Sequence, residues 1–169
     1  MIGQKKSSLR NLKRYFEEDE QKQKWKEKYQ NMIKKEMNEL YDQVLHLIVS
    51  NLIPKVANEF QMVELLTTKA DLLKLKSEVV DCKEEKIKNI QESLEVFELA
   101  SKKSENFSPV NIEKVKLAQS FSIFLSYYVK DMPRAIEVAR NCFDNVIINL
   151  EDLDYDSYKN VTLEMSLMR

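Results

Sequence analysis

The side chains of this chain best suited to chemistry are cations. Lys5, Lys6, Arg10, Lys13 and Arg14 fall within the first sixteen positions, and no acid interrupts them. Farther on, Asp71, Lys74 and Glu78 are spaced i, i+3 and i+7. On a helix these share one face, so two carboxylates flank the ammonium and orient it. Cations that converge in this way hold anions. A basic stretch serves equally as a solvated helix face or as one wall of an anion site, and an acid–base–acid face equally as an exposed ion-paired surface. Charge by itself does not decide between them. Ser7 and Ser8, after two lysines, read as polar surface, with a kinase target as the alternative.

Other chemistry has little material to work with. His46 is the only imidazole and lies in the apolar run from Val44 to Ile48, where it reads as a packed helix histidine. Any nucleophilic triad needing a histidine would have to recruit it. Cys82 and Cys142 stand far apart with no neighbouring Cys or His, so no metal site is expected. The acidic pairs Glu17–Glu18 and Glu84–Glu85 belong at solvated helix ends, whereas acid–base catalysis needs a sheltered pair with shifted affinities for the proton. Gly3 is the only glycine. Neither a phosphate-cradling loop nor a dinucleotide turn can be built from it. No cofactor and no enzymatic activity are expected.

The elements that must position the cations are helices. The chain has 169 residues, 43% hydrophobic and 33% charged, which suits one domain over 1–169 with a core of its own. Its net charge of −1 gives no drive toward nucleic acid or membrane. Uncharged stretches such as 43–54 and 117–129 fall short of the ~18 residues of a membrane span. Two unpaired cysteines and no signal peptide point to a soluble protein of a reducing interior, cytosol or nucleus, and a cytoplasmic location is expected. Helical spacing predicts a long first helix over about 19–50 with Trp25, Tyr29, Met32, Leu40, Val44 and Leu47 or Ile48 inward. Others follow at about 57–80 and 84–103. A fourth is expected to be opened by Ser108–Pro109, a fifth at Pro133 with Ile136, Ala139, Phe143, Val146 and Ile147 inward, and a last one capped by Asp154 or Asp156. With the opening stretch this makes about seven helices: an all-α, antiparallel array without a strict tetratricopeptide repeat, related to such arrays in architecture. Neither end looks like a natural helix end, so the domain is expected to be a segment of a longer array.

Four segments, in order along the chain, resemble the 14-3-3 family of phosphopeptide-binding adaptors. Ile2-Gly3-Gln4-Lys5-Lys6-Ser7-Ser8-Leu9-Arg10 is similar to that family's V-G-A-R-R-x-S-W-R stretch, and Asn51-Leu52-Ile53-Pro54 to its L-I-P. Leu66–Val80 resembles L-K-M-K-G-D-Y-x-R-Y-x-A-E-V. Leu117–Tyr128, Pro133–Ala135, Ala139–Asp144 and Ser157–Arg169 resemble L-A-L-N-F-S-V-F-Y-Y, P-E-K-A, A-K-x-A-F-D and E-S-Y-K-D-S-T-L-I-M-Q-L-L-R. The resemblance runs from the family's third helix into its ninth. It implies a concave groove, basic on one side and apolar on the other, that grips a phosphoserine or phosphothreonine in a partner protein. It also implies a signalling adaptor that forms a homodimer through elements upstream of this chain.

Carried over position by position, the resemblance assigns the phosphopeptide site to Lys6, Arg10, Lys74, Leu75 and Ser120. The supporting acids are Asp71 and Glu78, and the apolar wall is Ile123, Leu163 and Leu167. Lys6 and Lys74 stand for arginines, Leu75 for a tyrosine and Ser120 for an asparagine. Thr67 replaces one of two lysines, the other being kept as Lys69. Gln119 and Glu164 replace aliphatic residues. A lysine keeps the charge but loses the planar fork that binds a phosphate bidentately, and Leu75 donates nothing. The expectation is weakened, altered or lost phosphopeptide binding, with Tyr127 as a compensating hydroxyl on the groove-facing helix. The alternative is a helical interaction scaffold with no phosphate requirement.

Overall fold

A computed structural model describes residues 20–166, and these fold into six α-helices with no strand among them. They are α1 (Glu20–Leu47), α2 (Glu59–Val79), α3 (Lys83–Lys103), α4 (Ile112–Phe124), α5 (Met132–Ile148) and α6 (Tyr155–Ser166). The expected opening helix falls on residues outside those described.

Short polar side chains start most of these helices by accepting from the orphan N–H groups of the first turn. Asn58 accepts from Phe60 N, Asp131 from Arg134 N, and Asp154 from Asp156 N and Ser157 N. At α4 the cap is Asn111, bonded to Glu113 N and Lys114 N, and not the expected Ser108–Pro109. Ser108 instead closes a turn onto Asn111 N just upstream. Two helices run on into wide π turns, α1 into Ile48–Leu52 and α4 into Leu125–Val129. A tight turn at Ile53–Lys55, carrying Pro54, ends the first of these excursions.

Lys130 closes the second π turn in the left-handed region, with φ 66° and ψ 25°. Its β-carbon crowds the carbonyl there, at a cost of about 1–2 kcal/mol that glycine escapes, offset by ~0.5–1 kcal/mol for the freedom glycine loses on folding. Lys130→Gly is therefore expected to raise the thermal midpoint by about 2 °C. Lys130→Ala, which keeps the β-carbon, should leave it unchanged in the same melt.

Packing follows a two-layer plan. α3 lies along α2 as the most extensive helix pair, and α5 along α4; α2, α4 and α6 neighbour one another in turn. α6 packs on α4 more than on its sequence neighbour α5, as expected of stacked antiparallel hairpins. The main core gathers Val63, Leu66, Ala70 and Leu73 of α2, Phe97 and Ala100 of α3, and Leu117, Phe121 and Phe124 of α4. Inside it Ser93 Oγ donates to Ala70 O at 2.8 Å, tying α3 to α2. A second cluster joins α1 to α2 through Ile33, Met37, Tyr41 and Val79, and a third joins α4, α5 and α6 through Val115, Val146, Val161 and Met165.

The inward face of α1 differs from expectation. Ile48 is buried as expected, but the other buried residues are Ile33, Met37 and Tyr41, while Trp25, Tyr29 and Met32 are 70%, 44% and 50% exposed. Two reasons apply. Met32 directly precedes Ile33 and so lies about 100° round the helix from it; Trp25 and Tyr29 lie on turns before Ile33, where α2 has already ended at Val79 and Asp81 pairs with Lys34. His46 is likewise exposed, with Nδ1 3.3 Å from Ser50 Oγ, and is not the packed histidine its apolar neighbours suggested. On α5, Ile136 and Ile147 are half exposed, because α5 sits in the outer layer and only the face carrying Ala135 and Val146 is covered.

Candidate functional site

Lys74 occupies a position on α2 that faces α4. Its ammonium pairs with Asp71 Oδ1, one turn back on the same helix, and the side chain is only 14% exposed. The second oxygen of Asp71 accepts from Ser120 Oγ of α4 at 3.2 Å. Asp71 thus links the two helices and holds the lysine against the seam between them. Ion pairing of partly buried groups stabilises little in net terms, but it fixes direction: an ammonium held by a carboxylate that is itself held cannot swing freely into water. Glu78, the second acid on this face, accepts from the hydroxyl of Tyr128, so both acids of the face are tied to α4 or the turn that follows it.

The tyrosine bonded at this face is Tyr128, whereas the sequence reading singled out Tyr127. The Tyr128 ring stacks on Phe124, with centroids 5.6 Å apart and planes 15° apart. Its hydroxyl nevertheless emerges at the acid face of α2. From Ser120, α-helical spacing brings position 127 to the same face, whereas the π turn at Leu125–Val129 holds one residue more and brings round position 128 instead. Tyr127 is left 70% exposed. Burial first, then the hydrogen bond to Glu78 and the charges of Glu78 and Asp71, raise the pKa of Tyr128 well above the ordinary tyrosine range. A wide turn leaves no recognisable mark in composition, so only the unusual pair Tyr127–Tyr128 hinted at a hydroxyl here.

Leu75, one turn after Asp71, is partly buried. It packs onto the α1–α2 cluster with Ile33, Met37, Tyr41 and Val79. Lys69 turns to the outer layer, where its ammonium lies 3.0 Å from Glu92 of α3. Thr67 spends its hydroxyl on Val63 O of its own helix at 2.8 Å. Of the expected apolar wall, Ile123 on α4 is 40% exposed and Leu163 on α6 is 61% exposed. The structure therefore brings Asp71, Lys74, Ser120 and Glu78 together, with exposed aliphatic groups on the next two helices of the same layer. Lys6, Arg10 and Leu167 lie outside the described residues.

A separate cavity of about 560 Å³ opens between α3, α4 and α5, floored by Phe107, Leu117, Phe121 and Val138. Cys142 lines it. Burial pushes that thiol up to about 11 against the opposing pull of Lys114, which leaves it protonated and unreactive at neutral pH. Among the described residues no group of three His, Cys, Asp or Glu could hold a metal, and no described helix is long and apolar enough to cross a membrane.

Comparison with known proteins gives a single answer. The family profile described as "14-3-3 protein" matches residues 1–169. The chain is 30% identical over 175 residues to 14-3-3 protein beta/alpha of Homo sapiens, covering 100% of this chain and 70% of that protein. It is 32% identical over 173 residues to 14-3-3 protein homolog 2 of Schistosoma mansoni, covering 100% and 80%. With 14-3-3-like protein 2 of Caenorhabditis elegans the identity is 30% over 175 residues, covering 100% and 69%.

Proposed function

Because this chain belongs to the 14-3-3 family of adaptors, we propose that it binds phosphoserine or phosphothreonine segments of partner proteins along the α2–α4–α6 face, through a pocket weakened relative to its relatives. The observation that carries this reading is the Ser120–Asp71–Lys74 chain of contacts. It holds a mostly buried ammonium at the seam of two helices beside exposed aliphatic side chains. A phosphate, with about −1.5 to −2 charges and three acceptor oxygens, is the ligand such a cation suits. In this reading Lys74 is joined by Lys6 and supported by Arg10; Ser120 faces the peptide backbone, and Ile123, Leu163 and Leu167 cover its side chains.

The weakening follows from the substitutions. Leu75 donates no hydrogen bond, and one charge-assisted bond is worth about 1.5–3 kcal/mol, or roughly tenfold to a hundredfold in affinity. Ser120 is already engaged by Asp71. In this reading the chain is one domain of a cytoplasmic, homodimeric protein. The test is a titration of two degenerate peptide pools that differ only in a fixed central phosphoserine. Tighter binding of the phosphorylated pool is expected. Equal binding of both pools would instead mark a scaffold with no phosphate requirement.

A further inference from the structure

The pocket lacks a hydroxyl donor at Leu75, yet a phenolic hydroxyl stands at the same face of α2. Tyr128 reaches it from the π turn after α4, its ring fixed against Phe124 and its oxygen bonded to Glu78, one helical turn beyond Lys74. The hydroxyl also feels the charge of Asp71, the partner of Lys74. Among the described residues, Tyr41 is fully buried between α1 and α2 and Tyr127 is 70% exposed, so neither is held against this face as Tyr128 is.

On the phosphopeptide reading above, we propose that Tyr128 is the specificity-determining donor of this chain's anion site, releasing Glu78 to donate its O–H to a phosphate oxygen held by Lys74. Without ligand, Glu78 keeps the hydroxyl pointed along α2 and occupied. An incoming phosphate offers three acceptor oxygens, enough to take the ammonium and the phenol together, and it must compete with Glu78 for the latter. That competition favours a doubly charged phosphate over a single carboxylate, so acidic peptides that mimic phosphate by charge alone bind poorly. Burial and the two carboxylates raise the phenol's pKa, so it is protonated, hence a donor, at neutral pH. The extra residue of the π turn is what makes this possible; a regular helix would present Tyr127 instead.

Tyr128→Phe keeps the ring stack and removes only the oxygen. Titrated with the paired peptide pools, it is expected to lose about tenfold or more in affinity for the phosphorylated pool and nothing for the unphosphorylated one. Tyr127→Phe is expected to match the parent chain on both. A structural role for Tyr128 would weaken both pools alike, and that result overturns the proposal. So does a Tyr128→Phe chain that keeps the parent's phosphate preference, which leaves the phosphopeptide reading standing. A parent chain with no preference removes that reading first and the role of Tyr128 with it.

Discussion

A Lys74→Glu chain is expected to bind phosphorylated and unphosphorylated peptide pools with equal affinity, having lost about a hundredfold or more for the phosphorylated one. Removing a single charge-assisted hydrogen bond accounts for roughly tenfold to a hundredfold. Reversal adds repulsion between the phosphate and a carboxylate set between Asp71 and Glu78 on the same helix face. The position amplifies both terms, because Lys74 is 14% exposed and charges there are less screened than on the open surface. Lys88→Glu is the matched control. It makes the same change in net charge on the exposed surface of α3 and should leave phosphate preference intact. Fluorescence anisotropy reads both variants, and preference retained in Lys74→Glu would remove this residue from the site.

Phe97→Ala is expected to destabilise the folded chain by about 3–5 kcal/mol. Phe97 is 0% exposed and sits at the centre of an aromatic group. Its ring is 5.2 Å from Phe121, nearly parallel, and 5.1 Å from Phe124. These rings join α3 to α4 and so hold the inner and outer layers together. A domain of this size has about 5–15 kcal/mol in all, so the loss is a large fraction of it and should lower the thermal midpoint by roughly 10 °C. Phe97→Leu, which refills most of the volume, should cost distinctly less. The effect extends to the site, since Tyr128 stacks on Phe124 and a loosened Phe124 frees the hydroxyl that reaches Glu78. A circular-dichroism melt of Phe97→Ala that shifts by under about 2 °C would contradict this packing.

Much of this was readable in advance. Three- and four-residue spacing located all six described helices to within a few residues at most boundaries, and proline and aspartate marked the starts of α5 and α6 correctly. The i, i+3, i+7 spacing of Asp71, Lys74 and Glu78 foretold one face. It could not foretell that Asp71 would reach Ser120, because that contact depends on how α2 lies against α4. Apolar spacing misled along α1: Trp25 and Tyr29 lie beyond the end of α2, Met32 lies off the buried stripe of Ile33, Met37 and Tyr41, and His46 sits among apolar residues yet in the open. Periodicity reports which residues share a face. It does not report whether another helix lies opposite.

The amino-acid order on its own determined the all-helical class and the family. These follow from local spacing and residue identity. Which hydroxyl meets which carboxylate was decided only in three dimensions. A single additional residue in the turn after α4 shifts the facing position from Tyr127 to Tyr128, and that shift comes from main-chain hydrogen bonding and from Phe124 packing against the core, neither of which is encoded in any one residue.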